Sequence, residues 1–85
     1  MKLLRTKRFL REYHRLPQQL RDRTDEKLRF LVRDIAHPSL RVKPVRGRPG
    51  LYEGSINMQY RFLFAIAADT YTLLHIGKHE IIDES

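Results

Sequence analysis

Eighty-five residues, no cysteine and a formal net charge of +7 narrow the choices at once. A chain this short buries a modest core, enough for a sheet covered by one or two helices, and it reads as one domain over residues 1–85. Without cysteine there are no disulfides, thiolate metal sites or thiol nucleophiles, which fits a reducing cytoplasm; no apolar run is long enough to span a bilayer, and Lys2 and Arg5 come too early for a signal-peptide core.

In chain order, Lys2 to Arg5 reads as a short first strand and Thr6 as a helix cap. Phe9, Leu10, Tyr13 and Leu16 then recur at helical spacing. Pro17 stops that helix and suits the first turn of the next. Leu20, Thr24, Leu28, Leu31, Val32 and Ile35 form one stripe of period 3.6, and His37-Pro38 ends it, because the residue before a proline is pushed out of the α region. Two helices joined by a tight turn predict an antiparallel helical hairpin.

The period then changes to two. Leu40, Val42 and Val45 alternate with Arg41 and Lys43, which puts those two cations on a face away from the core. Gly47-Arg48-Pro49-Gly50 is a turn. Leu51 to Ile56 predicts a strand and Asn57-Met58-Gln59 a tight connection. Tyr60, Phe62, Phe64 and Ile66 share one face of the following strand; Arg61, Leu63 and Ala65 share the other. Ala67-Ala68-Asp69 turns the chain into a last strand from Thr70 to Ile76, rich in β-branched and aromatic residues. The polar ending Asp83-Glu84-Ser85 is expected to fray. The predicted class is α+β: an N-terminal helical hairpin on one face of a small, mostly antiparallel sheet of three to four strands. Short connections require antiparallel neighbours. The face opposite the helices is expected to be partly open, with Arg61 pointing there.

The charge is unevenly spread. Residues 1–50 hold 15 Lys and Arg against 5 Asp and Glu, a net of +10; residues 51–85 hold 2 against 5, a net of −3. Such an excess favours an anionic partner, either nucleic acid or an acidic protein. A solvated basic surface is the ordinary alternative. Arg61, between aromatics in an apolar strand, must face water or meet an anion. It has the chemistry to hold a phosphate as charge develops on it, or to pair with Glu53 or Asp69. His79, after Gly77 at the end of the last strand, can transfer a proton near neutral pH. Glu53 has the chemistry of a general base, although an ion pair with a nearby arginine is the commoner use of such a residue. Arg41, Lys43, Arg46 and Arg48 form a basic strand and turn able to track an RNA backbone, or to blunt a sheet edge together with Pro44. No pair of histidines has metal-binding helical spacing, so neither a metal nor any other cofactor is expected.

Read in order, Arg8-Phe9-Leu10, Leu16-Pro17, His37-Pro38-Ser39-Leu40-Arg41-Val42-Lys43, Gly50-Leu51-Tyr52-Glu53, Tyr60-Arg61-Phe62 and Ile76-Gly77-Lys78-His79-Glu80 resemble the RelE/ParE superfamily of toxins from type II toxin–antitoxin systems. The resemblance is RelE-like, with a YafQ-like Gly-x-His ending, and spans Thr6 to about Asp83. It implies an α+β toxin that acts in the cytoplasm as a ribosome-dependent mRNA endoribonuclease, without a metal. It implies an antitoxin as partner, the ribosome and mRNA as target, no membrane, and a toxin monomeric alone but in a higher oligomer with antitoxin. Arg61 then stabilises the phosphate, His79 acts as general acid, Lys78 matches the lysine often found just before it and binds RNA, and Arg41 and Lys43 match the basic strand that contacts RNA, with Arg46 and Arg48 extending it on the charge reading above. A ParE-like inhibitor of DNA gyrase, or an inactive basic binding homologue, is the alternative. Glu53 and Ser55 stand where RelE carries lysines, and no aromatic follows His79.

Overall fold

The structure is a computed structural model that describes residues 1–84, with the backbone alone at 81, 83 and 84. The chain begins with strand β1 (Lys2–Arg5), which runs into helix α1 (Lys7–His14) through Thr6. Thr6 makes that junction chemically. Its Oγ1 accepts from the Phe9 N–H at 3.1 Å, capping α1, and donates to the Leu73 carbonyl at 2.9 Å, closing the strand pair. Helix α2 (Gln18–Arg33) follows, with Pro17 immediately before its first turn. Arg21 Nη1 reaches back to the His14 carbonyl at 3.2 Å, and the Tyr13 hydroxyl donates to Asp25 Oδ1 at 2.7 Å, so polar contacts tie the two helices together. Burial and the Asp25 carboxylate raise the Tyr13 phenol above its ordinary value of 10.0.

The buried face of α2 differs from the predicted stripe. Thr24, Lys27, Leu28 and Leu31 are buried, while Val32 is exposed. These positions follow i, i+3, i+4, i+7, which is one helical face. Lys27 takes part because its aliphatic stem packs as an apolar side chain does. The helix also stops at Arg33, earlier than His37-Pro38. The Asp34 carboxylate accepts from the Ala36 N–H at 3.0 Å and turns the chain out of the helix. A 3₁₀ turn follows at Pro38–Leu40, with the His37 ring stacked on Phe30 at 4.1 Å between centroids.

The predicted alternation over residues 40–45 is not realised. Leu40 belongs to the 3₁₀ turn, and Arg41 is left-handed at φ 48°. Only Lys43–Pro44 pair as strand β2, since Pro44 has no N–H for a longer ladder. The remaining strands are β3 (Leu51–Ser55), β4 (Tyr60–Ala67) and β5 (Thr70–Lys78). The sheet therefore has five strands, in the order β1-β5-β4-β3-β2, rather than three or four. All neighbours are antiparallel except β1 and β5, which run parallel. A parallel pair needs a long crossover, and here the intervening helices and strands supply it.

The helices cover one face. Phe9, Leu28, Leu31, Leu40, Phe62, Phe64, Tyr71 and Leu73 form the core, each 6% exposed or less. Phe62 lies directly over Gly54, where a Cβ would come 2.4 Å from the Phe62 ring. The close approach of ring to backbone is what requires glycine in that strand. On the opposite face, Leu63 is buried too. Part of its cover is helix α3 (His79–Glu84), whose Ile82 is 3% exposed. The predicted frayed ending is thus helical in its backbone at residues 83–84, and Ser85 lies outside the described residues. Among the described residues no helix is long and apolar enough to cross a membrane.

Glu12 completes the edge of β5 where β1 ends. Its Oε1 accepts from the Ile76 N–H at 3.1 Å, and His75 Nδ1 lies 2.6–2.7 Å from its two oxygens. Arg8 Nε approaches the same carboxylate at 3.4 Å. One helix side chain therefore does for β5 what a neighbouring strand would otherwise do.

Candidate active site and basic cleft

The sheet places cations and one carboxylate side by side. Lys43 on β2 is register partner to Glu53 on β3, and Ser55 on β3 is register partner to Arg61 on β4. Glu53 and Arg61 are thus diagonal neighbours on adjacent strands, within reach of long side chains. Glu53 Oε1 lies 3.4 Å from Arg61 Nε and 4.0 Å from Lys43 Nζ. Glu53 is 6% exposed. Of the uses weighed for this residue, the ion pair with an arginine is formed.

Arg61 is fixed from two sides. Besides Glu53, its Nη1 donates to the carbonyls of Asn57 and Tyr60 in the β3–β4 turn. Nη2 makes no bond among the described residues. Opposite Arg61 across the β4–β5 pair is Gly77. A Cβ there would meet only His75 Cε1, at 3.9 Å. No side chain therefore rises beside the guanidinium on that strand. The arrangement is an oriented, partly exposed fork with a donor to spare, which suits a tetrahedral anion.

The same β3–β4 turn carries His79. Its backbone N–H donates to the Gln59 carbonyl at 2.7 Å, which anchors the start of α3 one residue after Lys78, the partner of Tyr60. Arg61 and His79 are thus fixed by carbonyls of one short segment, 57–60. Lys78 is exposed at the end of β5.

A cleft of ≈ 370 Å³ adjoins this cluster, lined by Lys43, Arg46, Arg48, Glu53, Leu63 and Ile82 among others. Lys43, Arg46 and Arg48 are all exposed. The turn that presents the last two has Gly47 and Gly50 at φ 78° and 81°, a backbone that favours glycine. Arg41 is separate from them. Its left-handed backbone turns it away from the β2 side, and it lines a second cleft with Arg23 and Lys27 of α2. The expectation that Arg41 and Lys43 share one face is corrected accordingly.

Sequence reasoning singled out Arg61, Glu53 and His79 as candidates but not the groups that hold them. The carbonyls of Asn57, Gln59 and Tyr60 carry no side-chain signal. Gly77 did carry one: in a period-two strand, a glycine two residues before a candidate histidine marks a place where something approaches the sheet.

Neither family models nor curated protein sequences give a match to this chain. Its fold, in contrast, matches solved structures over nearly its whole length. A YoeB/ParE toxin from Agrobacterium tumefaciens superposes with a TM-score of 0.79 at 18% identity, covering 93% of this chain and 99% of that one. YafQ from E. coli strain BL21(DE3) superposes at 0.79 with 6% identity, over 95% and 96%. A chain of the intact E. coli RelBE toxin–antitoxin complex superposes at 0.73 with 20% identity, over 91% and 94%. At such identities the shared property is the path of the backbone, and on that ground this chain has the fold of the RelE/ParE toxins.

Proposed function

We infer that the protein is the toxin of a type II toxin–antitoxin system and cleaves mRNA on the ribosome. The observation that carries this reading is the Arg61 guanidinium, held by Glu53 and two turn carbonyls, facing Gly77 and bordered by the Lys43, Arg46 and Arg48 cleft. In the reaction the RNA 2′-OH attacks the adjacent phosphorus and gives up its proton to water. The P–O5′ bond breaks, leaving a 2′,3′-cyclic phosphate and a 5′-hydroxyl. Arg61 offsets the charge that grows on the phosphorane oxygens. His79 gives the departing 5′ oxygen its proton. Glu53 is a positioning residue that holds the Arg61 fork. Lys43, Arg46, Arg48, Arg41 and Lys78 bind the RNA backbone and the ribosome, and the ribosome orients the substrate, since positioning alone can supply several kcal/mol.

An antitoxin with an acidic segment is the natural silencing partner for the +10 excess of residues 1–50. Complexes of that kind, RelBE and DinJ–YafQ, are among the similar structures. A cytoplasmic site of action follows from a ribosomal target.

The test is single-turnover cleavage of ribosome-bound mRNA, with the new ends identified chemically. The wild-type protein should leave cyclic phosphate ends. Arg61→Ala and His79→Ala should each slow cleavage by roughly 10²- to 10⁴-fold. Gyrase inhibition without any mRNA cleavage would replace this reading with the gyrase-directed one.

A further inference from the structure

The ladder between β4 and β5 is interrupted once. Leu73 pairs with Phe64 and His75 with Leu63, so Leu74 is an extra residue, a β-bulge. In a regular strand His75 would follow Tyr71 and Leu73 into the helix-covered core. The bulge turns it instead to the other face, in line with Leu63 and with Gly77 two residues on. Bulges recur beside active sites, where they re-aim a side chain. Across the β4–β5 pair His75 and Arg61 are diagonal neighbours, as Glu53 and Arg61 are across β3 and β4.

His75 reaches that face with one nitrogen engaged and one idle. Nδ1 lies 2.6 and 2.7 Å from the two Glu12 oxygens. A carboxylate only accepts, so the neutral ring carries its proton on Nδ1 and Nε2 is a bare lone pair. Glu12 is itself fixed by the Ile76 N–H at 3.1 Å and by Arg8 Nε at 3.4 Å. Nε2 is buried and has no hydrogen bond among the described residues. Native folds seldom leave such an atom idle, and a catalytic role or a bound water is the usual explanation. A base aligned through its second nitrogen by a carboxylate is what proton abstraction from a hydroxyl calls for. The ring leans toward Gly77: Cε1, to which Nε2 is bonded, lies 3.9 Å from where a Gly77 Cβ would stand. That is the space beside the Arg61 fork.

We propose that His75, oriented by Glu12, is the base of the cleavage reaction, drawing the 2′-OH proton to Nε2 through one water. The assignment rests on the ribonuclease reading above. As O2′ bonds to phosphorus its proton passes to the water, and the water gives one of its own to Nε2. The P–O5′ bond breaks and His79 protonates O5′. Glu12 is a positioning residue. The other charged or titratable groups around His75 are Arg8 on α1, Arg61 and Glu53 on the sheet, and His79 and Glu80 on α3. Glu53 is paired with Arg61, which leaves Glu12 as the carboxylate of His75.

Single-turnover cleavage of ribosome-bound mRNA across pH tests the assignment. The wild-type rate should rise with pH as a base is freed and fall as an acid is lost. His75→Gln, which keeps a donor for Glu12, should be roughly 10²- to 10⁴-fold slower and lack the rising limb. His79→Ala should lack the falling limb. A second substrate carries sulfur in place of the scissile O5′. A thiolate leaves without a proton, so His79→Ala should recover on this substrate and His75→Gln should not. Glu12→Gln keeps an acceptor for the Ile76 N–H but lets the ring carry its proton on Nε2, so it should share the His75→Gln defect. Thermal melts establish that each variant is folded. In the wild type, NMR of the ring nitrogens should show Nδ1 protonated and Nε2 bare in neutral His75.

A folded His75→Gln protein with an unchanged rate, or with the whole pH curve lowered and its shape intact, overturns the assignment and leaves the ribonuclease reading standing. So does a neutral wild-type ring protonated on Nε2, whichever variants fold. Recovery of His75→Gln on the sulfur substrate also overturns it, by placing His75 on the leaving-group side. A wild type that cleaves no mRNA removes the ribonuclease reading, and this assignment with it.

Discussion

Arg61 lies directly across the β4–β5 pair from Gly77, so this cation has a strand neighbour with no side chain. The other neighbours of Arg61 hold it in place; Gly77 leaves it reachable. This relationship, with the Glu53 ion pair, defines the first two predictions.

Gly77→Val should suppress cleavage while leaving the fold intact. A Cβ at Gly77 meets nothing closer than 3.9 Å, so the backbone accepts a side chain. Its methyl groups would stand beside the guanidinium where the phosphate must come. The expected loss is at least roughly tenfold in single-turnover rate, in line with misplacing a reacting group. An unaltered cleavage rate in a folded Gly77→Val protein would mean that the substrate approaches Arg61 from elsewhere.

Glu53→Gln should slow cleavage through Arg61. With the ion pair at 3.4 Å weakened, the fork is held only by the turn carbonyls. About a tenfold loss is expected. The double variant Glu53→Gln/Arg61→Ala should be no slower than Arg61→Ala alone, because a positioning residue has nothing left to position. Fully multiplicative losses would give Glu53 its own part in the proton transfers, as the general base considered from sequence.

Glu12→Ala should destabilise the fold by about 2–4 kcal/mol. It removes the acceptor of the Ile76 N–H and the partner of His75 Nδ1, and His75 is only 4% exposed. Each buried group left without a partner costs about 1–3 kcal/mol. His75 Nε2 is already buried without a hydrogen bond among the described residues, so the site has no spare partner to offer. Urea unfolding gives the number, and a change within experimental error would show that water replaces the carboxylate freely.

Alkaline pH should weaken the fold through Tyr13. Burial, then the Asp25 hydrogen bond and charge, raise its phenol above the ordinary value of 10.0. The folded state therefore holds this proton more tightly than the unfolded state does. The contribution is complete below pH 10.0 and is lost as pH rises from there through the folded value. Thermal melts of wild type and Tyr13→Phe between pH 8 and 11 should diverge at the alkaline end, the wild type falling further. Parallel curves would show that the Tyr13–Asp25 contact does not differ between folded and unfolded chains.

Much of this protein was readable in one dimension. The helical hairpin, the three antiparallel strands after it and the turns at Gly47-Gly50 and Asn57-Gln59 are local, set by apolar period and by residues with special backbone preferences. Arg61 and His79 also stood out alone, because a cation in an apolar strand and a histidine at a strand end contradict their surroundings. The parallel docking of β1 on β5 was not readable, since it joins segments some 68 residues apart and depends on the whole intervening chain acting as a crossover. Nor was the short helix after Lys78, which takes its buried Ile82 from contact with the sheet. Lys27 is the sharpest case. Its letters say solvent; its burial was decided by which face of α2 the sheet claimed, and a helix turns by 100° per residue, so a small rotation exchanges Val32 for Lys27. Composition assigned the charge of this protein, and tertiary packing alone decided which of those charges came to lie side by side, as Glu53 does with Arg61 and Lys43.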